Sequence, residues 1–270
     1  MQSVEGGCKK RLGNSGHFSL IGDMTLTAPF AVIADIHGNA IALRAVLADI
    51  AAQGISRVVN LGDVFSGPLD PAGVWDLLKG RDFATLRGNH DRYLVEMPPD
   101  EMWPTDRLTH EKLPKAALEW IRALPVSLTW EGVYACHATP KDDNLYWTER
   151  VVSGGVQLAP QEEIEARASG IDAGLILYAH THVPRVLRLS DGRVMVNPGS
   201  VGCPAYSDET PAPHVVQVGH PYASYAVVHG GPGAWAVTHR AVAYDWDAAA
   251  EQARGHGRED WARAVGTGWL

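Results

Sequence analysis

The chain has 270 residues, 46% of them hydrophobic, and a formal charge of −8. This is enough apolar material for one large domain with a substantial core, and no continuous apolar run reaches the ~20 residues that a membrane span needs. The acidic balance argues against a non-specific nucleic-acid binder, which needs a basic surface, and no stable nucleic-acid complex is expected.

Residues 1–27 read as a polar, Gly-rich, flexible extension. Lys9, Lys10 and Arg11 are not followed by a clean apolar region, so they do not make a secretory signal, and Met24 is an alternative start. Cys8, Cys136 and Cys203 are odd in number and form no CxxC pair, which fits a reducing cytoplasm better than a disulfide framework.

From residue 28 to 270 we expect a single domain. Phe30 to Ala34 is a buried strand, followed by the polar cluster Asp35-Ile36-His37-Gly38-Asn39. Ile41, Leu43, Val46, Leu47 and Ile50 then fall at helical spacing, up to a stop at Gly54. A second strand, Arg57 to Leu61, ends in Gly62-Asp63, and Asp70-Pro71 caps a helix that runs to Gly80. A third strand, Phe83 to Arg87, ends in Gly88-Asn89-His90-Asp91.

Residues 92–124 read as an insertion of short helices containing Trp103 and Trp120. A hairpin with its turn at Glu131-Gly132 leads to His137, and a helix over Glu162 to Ala168 precedes strand Ala173 to Ala179, which ends in His180-Thr181-His182. A second hairpin turns at Asp191-Gly192. Residues 202–220 read as a loop, two further strands follow, and the Ala-rich tail from Asp245 is helical. The order βαβαβ and then hairpins predicts two packed mixed sheets flanked by helices, with polar groups at strand ends forming the site.

Each polar cluster follows an apolar strand and offers Asp, His or Asn, donors suited to Mn, Fe or Zn. Strand alternation would put Asp35 and His37 on one side, and His180 and His182 likewise. Taken singly, each cluster has an ordinary structural explanation: a turn, a cap, a satisfied core histidine. Five in one chain supply about seven donors, the number a two-metal centre needs.

Together Asp35-x-His37, Gly62-Asp63, Gly88-Asn89-His90-Asp91, His137 and His180-Thr181-His182 resemble, in order and spacing, the signature of the calcineurin-like metallophosphoesterase superfamily. Gly67-Pro68 and Asn197-Pro198-Gly199-Ser200 add a likeness to its small bacterial and archaeal phosphodiesterase branch. The resemblance implies a four-layer α/β/β/α sandwich. It implies that Asp35, His37, Asp63 and His182 hold one divalent ion, that Asp63, Asn89, His137 and His180 hold the other, and that Asp63 bridges them. The metals would be Mn, Fe, Zn or Ni, with Mn the ion expected to support activity. A bridging hydroxide would attack the phosphate ester of a small substrate, and His90 would protonate the leaving group. The expected activity is a phosphodiesterase acting on a nucleotide or small diester. An asymmetrical dinucleoside tetraphosphatase and a phosphomonoesterase or protein phosphatase are the alternatives, and a non-catalytic scaffold is the remaining one.

The chain departs from the pattern in places. Ala138 and Ala179 stand where the family commonly has glycine. Val64-Phe65-Ser66-Gly67 replaces the Val-Asp-Arg-Gly element of the protein phosphatases, and so lacks the carboxylate that would orient His90 and the arginine that would grip phosphate. Asp91 or a backbone carbonyl is left to orient His90. Asn39 either meets phosphate or caps its helix, Arg87 meets phosphate or a carboxylate, and Tyr146 lines the cleft or packs in a surface loop.

Overall fold

The computed structural model describes residues 28–270, and the expectations for residues 1–27, Cys8 among them, lie outside the described residues. The first half runs β1 (Phe30–Ile33), α1 (Ala40–Ala52), β2 (Val58–Asn60), α2 (Pro71–Leu78), β3 (Ala84–Thr85), α3 (Asn89–Glu96), α4 (Pro104–Lys112) and α5 (Lys115–Ala123). Next come β4 (Ser127–Trp130), β5 (Val133–Cys136), β6 (Glu149–Val152), β7 (Gly155–Leu158), α6 (Gln161–Arg167), β8 (Leu175–Leu177), β9 (Arg185–Arg188) and β10 (Val194–Asn197). The chain closes with β11 (Ala205–Asp208), β12 (His214–Gln217), β13 (Ala223–His229), β14 (Ala236–Val242), α7 (Trp246–Gly255) and α8 (Glu259–Thr267). Among the described residues no helix is long and apolar enough to cross a membrane.

Two five-stranded mixed sheets form the centre, in the orders β14-β13-β1-β2-β3 and β4-β5-β8-β10-β9. In each, three parallel strands lie side by side, and the remaining strands join them antiparallel.

Side-chain alternation assigns the layers. On β1, Phe30 and Val32 enter the core between the sheets with Leu175 and Leu177 of β8. Ala31 and Ile33 face outward, onto Leu43, Val46 and Ile50 of α1 and Val74 and Leu78 of α2. On the far side, Ile176 and Tyr178 pack with Trp147, Cys136 and Ile164 of α6. The result is the α/β/β/α sandwich. The paired helices α7 and α8 form a fourth cluster with Leu69, built on Ala249, Ala253, Ala262 and Val265.

Helix starts follow the cap chemistry. Asn39 Oδ1 accepts from Ala42 N at 3.0 Å, and Asp70 Oδ1 from Gly73 N at 2.8 Å with Pro71 opening the helix.

Two expectations need correction. Residues 202–220 are not a plain loop: β11 and β12 pair antiparallel there, Ala205 opposite Gln217. A further hairpin, β6–β7, occupies residues read as connection, and Gly154 O receives Val215 N so that the two hairpins join. Each of these strands is only four residues long, too short for alternation to stand out.

Candidate metal centre

The seven candidate donors come from five loops that converge where the parallel strands β1, β2, β3, β5 and β8 end. Alternation along a strand is not what aligns them. β1 stops at Ile33, and Asp35 and His37 have φ of 53° and 49°. Asp63 (53°), His180 (73°) and His182 (60°) are also left-handed. Among the described residues seven non-glycine residues take positive φ, and five of them are candidate donors. Such conformations cost of order 1–3 kcal/mol each and persist where the surroundings impose them, so the backbone strain is concentrated at this site.

Glycines make the close approach possible. A Cβ on Gly62 would lie 2.5 Å from Gly88 N, and one on Gly88 would lie 2.2 Å from Asp63 Oδ1. Asp91 ties the same loops: Oδ2 accepts from Asp63 N (2.8 Å) and Gly88 N (3.0 Å), and Oδ1 from Val64 N (3.0 Å). Asp91 therefore serves the backbone and is not the residue that orients His90.

Two clusters result. Asp35, His37 and His182 bring donor atoms within 4.8 Å of one another, and Asp63, His137 and His180 do the same. Asp63 lies between them. Its Oδ1 accepts from His90 N at 3.0 Å, while Oδ2 is 3.4 Å from His137 Nε2 and 3.9 Å from His37 Nε2.

Each histidine has one ring nitrogen committed to a backbone carbonyl. His37 Nδ1 faces Ser66 O (2.7 Å), His137 Nδ1 faces Leu61 O (2.8 Å), His182 Nδ1 faces Cys203 O (2.6 Å) and His180 Nε2 faces Asn144 O (3.0 Å). A carbonyl only accepts, so that nitrogen carries the proton and the other presents a lone pair to the site. This is how metal-ligating histidines are held.

The remaining polar atoms need a cation. Both oxygens of Asp35, Asn89 Oδ1 and His137 Nε2 are buried without a hydrogen-bond partner. His37 Nε2 and His182 Nε2 are 3.2 Å apart. Burial lowers His37 to about 4 and takes His182 well below its ordinary value, so two lone pairs face each other. Burial raises the Asp35 carboxyl to about 8. At His137 burial works against protonation, but the Asp63 carboxylate outweighs it and lifts the imidazole to about 10, so without an ion a proton takes the place on Nε2 that a cation would displace. A cation in each cluster satisfies these groups at once, and the nitrogen and oxygen donors suit a first-row divalent metal.

His90 stands at the edge, its ring 5.6 Å from that of His37 and its side chain one-third exposed. Its Nδ1 is 2.9 Å from Asp106 Oδ1 on α4. Burial alone would lower His90, but the Asp106 carboxylate beside it and Asp63 behind it raise it to about 9. Asp106 was missed in the sequence, where nothing local marks it. It is wholly buried in the first turn of α4, a position the helix dipole favours for an anion. Thr109, one turn on, exchanges hydrogen bonds with the backbone of Gly67 and fixes α4 to the loop after Asp63.

The three residues weighed as substrate contacts are otherwise engaged. Asn39 caps α1 and donates to Gly202 O at 3.2 Å. Arg87 pairs with Glu96 at 3.0 Å. Tyr146 is buried, its hydroxyl 2.8 Å from both Tyr206 OH and His214 Nε2, with its ring 5.2 Å from that of His180. His214 therefore supports the site, although no motif pointed to it. Asn197 holds Ala179 O and Thr181 Oγ1, and Ser200 Oγ donates to Asp35 O at 2.8 Å, so this turn braces both donor loops.

Residues 29–219 match the model of the calcineurin-like phosphoesterase superfamily domain. Protein MJ0912 of Methanocaldococcus jannaschii is 27% identical over 202 residues, covering 64% of this chain and 76% of that protein. A metallophosphoesterase from Sphaerobacter thermophilus superposes with a TM-score of 0.70 at 24% identity, over 90% of this chain and 99% of that one. Protein PH1004 from Pyrococcus horikoshii gives 0.67 at 22%, over 89% and 98%. At these identities the two structures establish the fold.

Proposed function

From the premise that this chain belongs to the calcineurin-like phosphoesterase superfamily, we propose that it is a two-metal phosphodiesterase acting on a nucleotide or other small diester. The observation that carries the reading is the pair of donor clusters meeting at Asp63, with His90 backed by Asp106 at their edge. Asp35, His37, Asp63 and His182 would hold one ion, and Asp63, Asn89, His137 and His180 the other. When bound, the two ions supply the Lewis acidity and the activated water that phosphate-ester hydrolysis needs, and Mn is the ion we expect to support turnover.

The protein's own contribution is the proton. Asp106 accepts from His90 Nδ1–H, which leaves Nε2–H free to be donated. A departing alkoxide is a poor leaving group until protonated, and a positioned general acid removes that obstacle.

Charge favours a diester over a monoester. A monoester carries about −1.5 to −2 at neutral pH, a diester close to −1. Arg87 and Arg92, the arginines flanking Asn89 and His90 at the start of α3, are paired with Glu96 and with Asp143, the latter through two hydrogen bonds at 2.7 and 2.8 Å. Neither side chain is free to meet a second phosphate charge.

The test is hydrolysis of an aryl phosphodiester and the matching monoester with added Mn²⁺, with Asp63→Asn as the blank. Diester turnover well above the blank, with little on the monoester, is the expected outcome. Preference for the monoester would replace this reading with a phosphatase. Silence on both, in protein holding two metals, would replace it with a pyrophosphate-bond hydrolase such as an asymmetrical dinucleoside tetraphosphatase.

A further inference from the structure

The helical hairpin α7–α8 lies beyond the span matched by the family, yet it reaches the donor clusters. Trp261, in the first turn of α8, has its indole 5.9 Å from the His37 ring at an interplanar angle of 65°. His90 approaches the same imidazole at 5.6 Å. The indole and the leaving-group acid therefore flank one donor. On the neighbouring donor, the Tyr206 ring of β11 is 4.7 Å from that of His182, and α8 packs on β11. His37 and His182 are buried, whereas Trp261 and Tyr206 are only partly so.

Both aromatics are held in place. The Arg258 guanidinium is 6.0 Å from the centre of the indole and is itself fixed by Asp260, at 2.6 and 2.9 Å, and by Thr105 of α4. That contact joins α8 to the helix that carries Asp106. The Tyr206 hydroxyl is 2.8 Å from that of Tyr146. Rings fixed in advance give up little freedom when a planar group lies against them, and aromatic stacking tolerates any base because every base has a π face.

We propose that Trp261, flanked by Tyr206, forms a stacking subsite for a planar ring on the leaving group, so that the substrate class is a nucleotide ester and not an alkyl phosphodiester. The leaving-group assignment rests on the phosphodiesterase reading above, but ring recognition is measurable without turnover.

The experiment is calorimetric titration of the Mn²⁺-loaded protein with AMP and with ribose 5-phosphate, which differ by the base. Wild type, Trp261→Leu and Trp261→Phe are compared at equal metal content. Leucine keeps apolar packing under α8 without a ring, and phenylalanine restores one. Wild type should bind AMP roughly tenfold more tightly than ribose 5-phosphate. Trp261→Leu should lose that preference while binding ribose 5-phosphate unchanged, and Trp261→Phe should keep most of it. Equal binding of both ligands by wild type, parallel weakening of both by Trp261→Leu, or an AMP preference that survives leucine would each overturn the subsite. Diester assays on the same samples separate the two readings. AMP preference without diester hydrolysis removes the phosphodiesterase and leaves the subsite, and hydrolysis without AMP preference does the reverse.

Discussion

His90 Nδ1 and Asp106 Oδ1 are 2.9 Å apart, one on the helix that begins with Asn89, a candidate metal donor, and the other wholly buried on the next helix along the chain. The contact fixes the ring's tautomer and direction and keeps its proton in place toward higher pH.

Asp106→Asn tests this directly. The carboxylate raises the imidazole, so removing it lowers the pH at which His90 gives up its proton. The alkaline limb of kcat should move to lower pH, and kcat should fall by about tenfold or more, most for esters with poor leaving groups. Metal content, measured by mass spectrometry, should be unchanged, because Asp106 is in neither donor cluster. Loss of metal, or an unmoved pH profile, would mean that the pair only braces α4.

Metal stoichiometry separates the two clusters. His182→Ala should lower the content from two ions per chain toward one, and His180→Ala should do the same for the other cluster. Asp63→Asn should impair both, since its Oδ2 faces both, and should nearly abolish turnover. Two ions retained in Asp63→Asn would remove it from the bridging position.

Removing the metals should destabilise the fold. An ion present at a hundred times its dissociation constant stabilises by about 2.7 kcal/mol per site. Chelation should therefore lower the melting temperature by at least about 5 °C in a protein of this size. Scanning calorimetry with and without EDTA measures it, and an unchanged melting temperature would mean that the unpartnered oxygens of Asp35 are not metal donors.

Gly88 has φ −86° and ψ 179°, which any residue can adopt. Only space forbids a side chain there. In Gly88→Ala the new methyl would meet Asp63 Oδ1 at 2.2 Å, so Asp63 must move. We expect a loss of about 1–3 kcal/mol by chemical denaturation, together with a drop in bound metal. Normal metal binding in this variant would show that the Asp63 loop yields without consequence.

Away from the site, Arg240 donates to both oxygens of Asp49, at 2.7 and 2.9 Å, and Tyr225 OH adds a third bond at 2.6 Å. The Arg240 hydrogen bonds hold the Asp49 carboxyl below its usual range. With the folded value depressed, the contribution to stability is present above the unfolded pKa of about 3.9 and is lost as pH falls through the folded one. Asp49→Asn should lower the melting temperature at pH 7 and make no difference near pH 2. A gap that persists in acid would assign the effect to packing.

The parts of this molecule legible in sequence are those set by local chemistry. The apolar run Phe30 to Ala34 marked β1 as a buried strand, Asp70-Pro71 marked one helix start, and Asn39 proved to cap another. The motifs named seven candidate donors, and six of them meet in the two clusters. What stayed hidden depends on long-range placement. Asp106 meets His90 from a separate helix, α4, which Thr109 fixes to Gly67. Trp261 reaches His37 from the other end of the chain, because Ala249, Ala253 and Ala262 let α7 and α8 lie close. His214 carried no motif, since its role is to fix the Tyr146 hydroxyl. The alternation argument for Asp35 and His37 failed for a local reason: both lie past the strand, in a backbone conformation that hydrophobic spacing does not encode.

The four candidate donor histidines lean on the main-chain oxygens of Ser66, Leu61, Cys203 and Asn144. Every amino acid brings that oxygen, so an exchange at any of the four that the surrounding packing accepts keeps the acceptor. Deleting or inserting one residue beside them does not, because the carbonyl then turns away and the imidazole is free to flip. The supports should therefore be more sensitive to their length than to their spelling, so drift in these loops should run through substitutions that keep the packing and not through gaps.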